Sequence, residues 1–183
     1  MSPEAVLAQA SSLFLHGERV EMGELAASVG IGRTTLHRWF GGRDRLLGIV
    51  IWSLAEPVLD RLRVGTYRHD GPERIVEIVR VLGQQVLSMS PVTSFLQRDP
   101  VGALRVLTTG ASPVQANMTQ FFVEVIRSER DGGSFADWPD LEIEPLAYAI
   151  LRILEAFVYS DVIAGRGAAP EEAARVVALL LRR

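Results

Sequence analysis

The chain has 183 residues, of which 48% are apolar and 22% are charged, and its formal net charge is −3. This composition predicts a globular protein with a substantial core and argues against a disordered chain. Because cysteine is absent, disulfide bonds and thiolate metal sites are excluded. We expect a cytoplasmic protein, since residues 1–15 lack the basic start of a signal peptide and charges interrupt the longest apolar stretch, 146–164.

The chain is predicted to consist of helices. Apolar residues recur at helical spacing from end to end, and no alternating strand pattern of convincing length is present. Gly17 and Gly30 are expected to end the first two helices, and Pro57 to kink the fourth. We therefore predict an all-α fold with helices over residues 3–15, 21–29, 33–39, 44–64, 72–88, 91–97, 99–108, 113–129, 143–164 and 170–182.

Residues 21–39 have the pattern of a helix-turn-helix. A short helix is followed by a turn that contains Gly30 and then by a second short helix, 33–39. On this second helix Leu36 and Phe40 are expected to face inward. The residues left facing outward are Arg33, Thr34, Thr35, His37 and Arg38. Such a helix fits the major groove of DNA, where threonine and arginine side chains reach the base edges.

Basic residues are concentrated around this helix, although the whole chain is acidic. Between Ile31 and Arg45 there are four arginines but only one acid, Asp44. A patch of this kind is usually a solvated helix face, but its combination with hydroxyl and aromatic side chains in a helix-turn-helix favours DNA contact. Arg43 and Arg45 begin the next helix, whose N-terminus can bind a phosphate together with a guanidinium group.

The stretch ELAASVGIGRTTLHRWFGGRDRLL resembles the DNA-binding domain of the TetR family of bacterial repressors. Leu25-Ala26, Val29-Gly30-Ile31, Thr35-Leu36, Phe40 and Leu46-Leu47 match that family's pattern. The resemblance implies an N-terminal three-helix helix-turn-helix DNA-binding domain at 1–47, followed by a larger helical ligand-binding and dimerisation bundle at 48–183. The C-terminal half resembles regulators of the QsdR type, which are linked to the degradation of quorum-sensing lactones.

The resemblance also implies roles for individual residues. Thr35 and His37 resemble the threonine and tyrosine that contact bases and phosphates, Trp39 resembles a second aromatic or histidine at the DNA backbone, and Arg43 resembles a phosphate-binding lysine. Gly32 stands where a serine cap is usual, which weakens the start of the helix. The full predicted DNA-binding set is Arg33, Thr34, Thr35, His37, Arg38, Trp39 and Arg43.

Apolar stripes in the C-terminal part are typical of a core and also of a pocket for an apolar ligand. Helix 113–129 carries a stripe of methionine and phenylalanine, and in helix 72–88 the polar Gln85 is expected on the apolar side. No cofactor or metal is expected, because the three histidines are scattered along the chain. The candidate ligand-binding residues are Trp52, Gln85, Met89, Phe95, Met118, Phe121, Phe122, Val125 and Glu155.

Helix 143–164 is apolar nearly all round, which requires burial on two sides. We expect one side to pack on its own subunit and the other on a second copy of the chain. The expected interface residues are Leu151, Leu154, Val158, Val177 and Leu180. The expected partners are a second copy of the chain, a near-palindromic operator in double-stranded DNA and a small apolar effector, with no membrane partner.

The favoured function is a ligand-responsive transcriptional regulator, and specifically a repressor that a small apolar molecule releases from its operator. An activator of the same architecture has the same sequence features. The alternative is a helical protein-interaction module with a degenerate DNA reader. An enzyme is not expected, since neither a metal-ligand spacing nor a strand-linked phosphate loop is found.

Overall fold

The computed structural model describes residues 2–65, 69–138 and 141–182. Within these ranges the regular backbone is entirely helical, which confirms the predicted all-α fold, and no helix has the length and apolarity needed to cross a membrane. The helices are α1 (Pro3–Leu15), α2 (Met22–Ser28), α3 (Arg33–Phe40), α4 (Arg43–Val64), α5 (Gly71–Ser88), α6 (Ser90–Arg98), α7 (Pro100–Thr108), α8 (Val114–Asp131), α9 (Ile143–Val158), α10 (Ser160–Ala164) and α11 (Pro170–Leu180).

The main difference from the predicted helices is a break after Val158. The sequence predicts one helix over 143–164, whereas α9 and α10 are separated at Tyr159. The carbonyl of Phe157 accepts the hydroxyl of Ser160 at 2.9 Å and the N–H of Ala169 at 3.0 Å. Groups outside α9 thus satisfy a carbonyl of its last turn, and the chain can turn there.

The described chain forms two compact units. The first contains the residues up to Val58 together with Met89–Gln115, and the second contains Leu59–Ser88 together with the residues from Ala116 onward. Helices α6 and α7 therefore pack in the same unit as α1–α3 and the first part of α4. The predicted division at residue 47 stays a prediction.

The first unit has a core of aliphatic and aromatic side chains. Phe14 of α1 meets Phe95 of α6 edge to face, with ring centroids 6.0 Å apart. Gly48 on α4 permits a very close approach of the α7–α8 connection, since a Cβ atom there would lie 2.3 Å from the Cβ of Ser112. These contacts hold α6 against α1, and the α7–α8 connection against α4.

In the second unit, α5 packs against α9 and α11. The absence of a side chain at Gly83 allows this packing, because a Cβ atom there would lie 2.6 Å from the Cβ of Pro170. At the other end of α5, the buried carboxylate of Glu129 accepts the backbone N–H of Gly71 and pairs with Arg74. Hydrogen bonds thereby offset the cost of burying this charge.

Candidate nucleic-acid interface

A tight connection joins α2 to α3. Gly30 has φ +70°, a left-handed conformation that glycine adopts without steric cost. The N–H of Gly30 donates to the carbonyl of Ala27 at 3.2 Å, and the N–H of Ile31 donates to that of Ala26 at 3.0 Å. These bonds satisfy carbonyls at the end of α2. The predicted helix-turn-helix is therefore present, with glycine in the predicted place.

Helix α3 has one buried and one exposed face. Leu36 and Phe40 are buried in the first unit, as predicted. Trp39 is half-buried beside Phe40, and Thr35 is also half-buried. The exposed side chains line one shallow depression on the surface, and they are Arg33, Thr34, His37 and Arg38.

Two glycines turn the chain sharply between α3 and α4. Gly41 has φ +80° and its N–H donates to the carbonyl of His37 at 2.7 Å, while Gly42 has φ +151°. A Cβ atom at Gly41 would lie 3.3 Å from the Cδ of Arg45. Omitting side chains here therefore lets the first turn of α4 lie beside the end of α3.

Three exposed arginines supply positive charge to this surface. Arg33 and Arg38 lie on α3, and Arg45 lies in the first turn of α4. Over the described part of the chain, none of the three takes part in an ion pair. Their guanidinium groups are therefore available to phosphates or base edges.

Arg43, the predicted phosphate ligand, has a different environment. Its side chain is only 21% exposed, and its Nε donates to the carbonyl of Val20 at 2.9 Å. Nη1 lies 3.4 Å from a carboxylate oxygen of Asp99, and Nε lies 3.7 Å from one of Glu21. The guanidinium thus already has a carbonyl and two carboxylates as neighbours, an arrangement the sequence did not predict.

Asp44, the residue after Arg43, forms an ion pair with Arg105 of α7. Arg105 donates to both carboxylate oxygens of Asp44, at 2.6 and 3.1 Å. Hydrogen bonding and the charge of Asp44 raise the pKa of Arg105. Asp99 and Arg105 were missed by the sequence analysis. Pro100 after Asp99 is a local signal for a helix cap, but partners some 60 residues away leave no local signal.

The predicted ligand-binding residues fall in both units. In the first unit Phe95 is buried against Phe14, whereas Trp52 and Met89 are half-buried. In the second unit the side chains described as buried are Phe121, Phe122, Val125 and Glu155, and Met118 is half-buried.

Gln85 departs from the expectation, because its side chain is exposed. The sequence pattern predicts a position on the apolar side of helix 72–88. The close packing at Gly83 orients the end of α5, and a residue two positions further along points to the opposite side of a helix. Gln85 therefore faces away from the packed side.

Glu155 is the predicted ligand residue with the most unusual environment. Its side chain is 8% exposed, and Nη1 of Arg152 donates to its carboxylate at 2.7 Å. Burial raises the pKa of Glu155 to about 7, because the nearby arginine only partly offsets the cost of burying the charge. Burial, with the neighbouring Glu155, also raises the pKa of Tyr159.

The residues predicted for a dimer interface lie mostly inside the second unit. Four of them are buried within the single chain: Leu151, Leu154, Val158 and Val177. The methyl groups of Leu154 and Val158 point toward Gly83 of α5. Leu180 is exposed. The other large apolar side chains exposed on α9 and α11 are Tyr148, Val176 and Leu179.

Residues 70–182 match a family model described as "Tetracyclin repressor-like, C-terminal domain". The match covers more than half of the chain. The chain belongs to the TetR family of transcriptional regulators. No match is found among curated protein sequences.

Two solved structures of TetR-family proteins resemble the whole chain. The R. erythropolis transcriptional repressor QsdR is 27% identical, with a TM-score of 0.87, over 97% of this chain and 93% of that one. A TetR transcriptional regulator from Rhodococcus sp. RHA1 is 16% identical, with a TM-score of 0.55, over 94% of this chain and 89% of that one. The second likeness concerns the fold alone.

Proposed function

We propose that this TetR-family protein is a repressor that binds a near-palindromic operator as a homodimer and is released by a small apolar molecule. The observation that carries the proposal is the exposed face of α3, where Arg33, Thr34, His37 and Arg38 lie together above a buried Leu36 and Phe40. The likeness to QsdR, which is a repressor, supports the direction of regulation.

The side chains of α3 have different proposed roles. Arg38 and Thr34 are exposed on the helix and can reach base edges in the major groove. Arg33 and His37 flank them and can contact phosphates, which adds affinity without sequence preference. Thr35 is half-buried, so only the part of its side chain that faces the groove can contact a base.

Dimerisation is proposed because one recognition helix covers only a few base pairs, so that a specific operator requires two copies. The exposed apolar residues of α9 and α11 provide a surface for a symmetric contact. Leu179 is the most prominent of them at 63% exposure, and it is accompanied by Tyr148, Val176 and Leu180. This surface replaces the predicted set of buried leucines and valines.

The proposed effector is small and largely apolar. The second unit has aromatic and aliphatic side chains on α8, among them Phe121 and Phe122, whose ring centroids lie 5.3 Å apart. Burial raises the pKa of Glu155 to about 7, so its carboxyl group can donate a hydrogen bond to a polar group of the ligand when protonated, or accept one from it when ionised. An effector releases the operator only if it binds the non-DNA-binding form more tightly.

DNA binding is tested by fluorescence anisotropy with a labelled duplex from upstream of the protein's own gene and a scrambled duplex of the same composition. We expect the wild type to prefer the upstream duplex. Arg38→Ala should lose that preference, whereas Arg127→Ala, which removes an exposed arginine from α8, should keep it. Equal binding of the two duplexes by the wild type would refute the proposal.

A further inference from the structure

Arg43 lies where a cation and a helix N-terminus can bind a phosphate together, in the first turn of α4. In the DNA-free protein its guanidinium is instead close to the carboxylate of Asp99, at 3.4 Å. A DNA phosphate and the carboxylate of Asp99 would therefore compete for the guanidinium of Arg43. The following inference rests on the proposed DNA-binding function.

Asp99 is held in place without the help of Arg43. Its Oδ1 accepts the N–H of Gly102 at 3.0 Å and so caps the start of α7. Gly102 is required for this arrangement, because a Cβ atom there would lie 2.3 Å from Oδ2 of Asp99. The carboxylate is therefore positioned by α7, with its second oxygen directed to Arg43.

The pair is open to solvent on one side. Arg43 and Asp99 both line a cavity of about 410 Å³, whose other walls are Arg19, Phe95 and Arg98. The two side chains are 21% and 38% exposed. An ion pair that is partly exposed and has 3.4 Å between its atoms contributes little stability, so a DNA phosphate, which also accepts charge-assisted hydrogen bonds, can displace Asp99.

We propose that Asp99 competes with a DNA phosphate for the guanidinium of Arg43 and thereby limits the affinity of the protein for DNA. Binding exchanges the carboxylate for a phosphate at Arg43. In this proposal Asp99, which lies between α6 and α7 and outside the helix-turn-helix, is an autoinhibitory residue and not a DNA ligand.

The test uses Asp99→Asn in the full-length protein. Asparagine keeps an oxygen for the N–H of Gly102 and removes the charge. We expect about two- to fivefold tighter binding per half-site, the range that corresponds to losing a competing exposed ion pair. The increase should occur on the upstream and scrambled duplexes alike. The slope of the logarithm of affinity against the logarithm of salt concentration should steepen by about one per half-site.

Two variants separate this effect from a general change in charge. In an Arg43→Gln background, Asp99→Asn should have no effect, since the group for which it competes is gone. Glu18→Gln removes the same charge from an exposed residue of the α1–α2 loop and should change affinity by less than Asp99→Asn. Circular dichroism melts establish that each variant is folded.

Three results would overturn the inference. Unchanged or weaker binding by Asp99→Asn would show that the carboxylate is neutral or positions Arg43 for DNA. A gain that persists in the Arg43→Gln background, or is matched by Glu18→Gln, would show a general charge effect. If Arg43→Gln does not fold, an unchanged salt slope for Asp99→Asn decides against the inference. A failure of the proposed DNA-binding function would be recognised separately, because the wild-type protein would then bind the upstream and scrambled duplexes equally.

Discussion

Replacing Glu155 by glutamine should make the stability of the protein less sensitive to pH. Burial raises the pKa of this carboxyl to about 7 in the fold, from the usual value of 4.5. The folded state thus keeps a proton that the unfolded chain releases between these values. The contribution of Glu155 to the free energy of unfolding is therefore fully present below pH 4.5, falls as the pH rises toward 7, and is lost above that.

The magnitude follows from the interval between the two pKa values. From 4.5 to about 7, at ~1.4 kcal/mol per pH unit, wild-type stability falls by at most about 3 kcal/mol. Glutamine does not ionise and is close in shape to the protonated acid. The free energy of unfolding of Glu155→Gln minus that of the wild type should therefore rise by about 1–3 kcal/mol between pH 4.5 and pH 8.5.

Urea unfolding at pH 4.5, 6.5 and 8.5, at one fixed protein concentration, measures this difference. Taking the difference between variant and wild type cancels the titration of all other groups. Glu18→Gln, at an exposed site, serves as the control and should show a difference that hardly varies with pH. A difference for Glu155→Gln that is equally flat, or that falls as the pH rises, would refute the reasoning from burial.

Three further predictions concern packing, assembly and base reading. Gly83→Ala should lower the free energy of unfolding, measured in urea, by about 1–3 kcal/mol, because the added Cβ would clash with Pro170. The control Gly110→Ala should leave the free energy of unfolding nearly unchanged, because no atom lies within 4 Å of the Cβ added there. Leu179→Arg should give folded monomers in sedimentation, whereas Leu154→Arg should lose the fold by circular dichroism; a folded Leu154→Arg monomer would contradict its burial. Thr35→Ala should change base preference at one operator position by about 1–3 kcal/mol, and an equal loss on every duplex would contradict a base contact.

Local signals in the sequence were sufficient to find most of the helices and the turns between them, but not the break between α9 and α10 at Tyr159. A period of 3.6 residues identifies a helix from its own residues, and glycine marks a left-handed conformation because other residues pay a steric cost there. Gly30 and Gly41 both adopt positive φ. The inward positions of Leu36 and Phe40 on α3 followed from the same spacing.

A pattern that requires burial does not say which surface provides it. The sequence of residues 143–164 is apolar nearly all round, a pattern from which we expect Leu154 and Val158 to pack against a second copy of the chain. Their side chains instead pack beside Gly83 within the same unit. Burial is non-directional, since it depends on the apolar area removed from water and not on the chain that covers it.

The environment of Arg43 shows the same limit for charges. Its place at the start of α4 and its sign were evident from the sequence, and both favoured a phosphate. Its neighbours Val20 and Asp99 lie 23 and 56 residues away along the chain, and only the packing of α6 and α7 brings Asp99 within reach. The sequence by itself determined which residue carries the charge, whereas tertiary structure decided what the charge faces, because electrostatic attraction depends on distance in space.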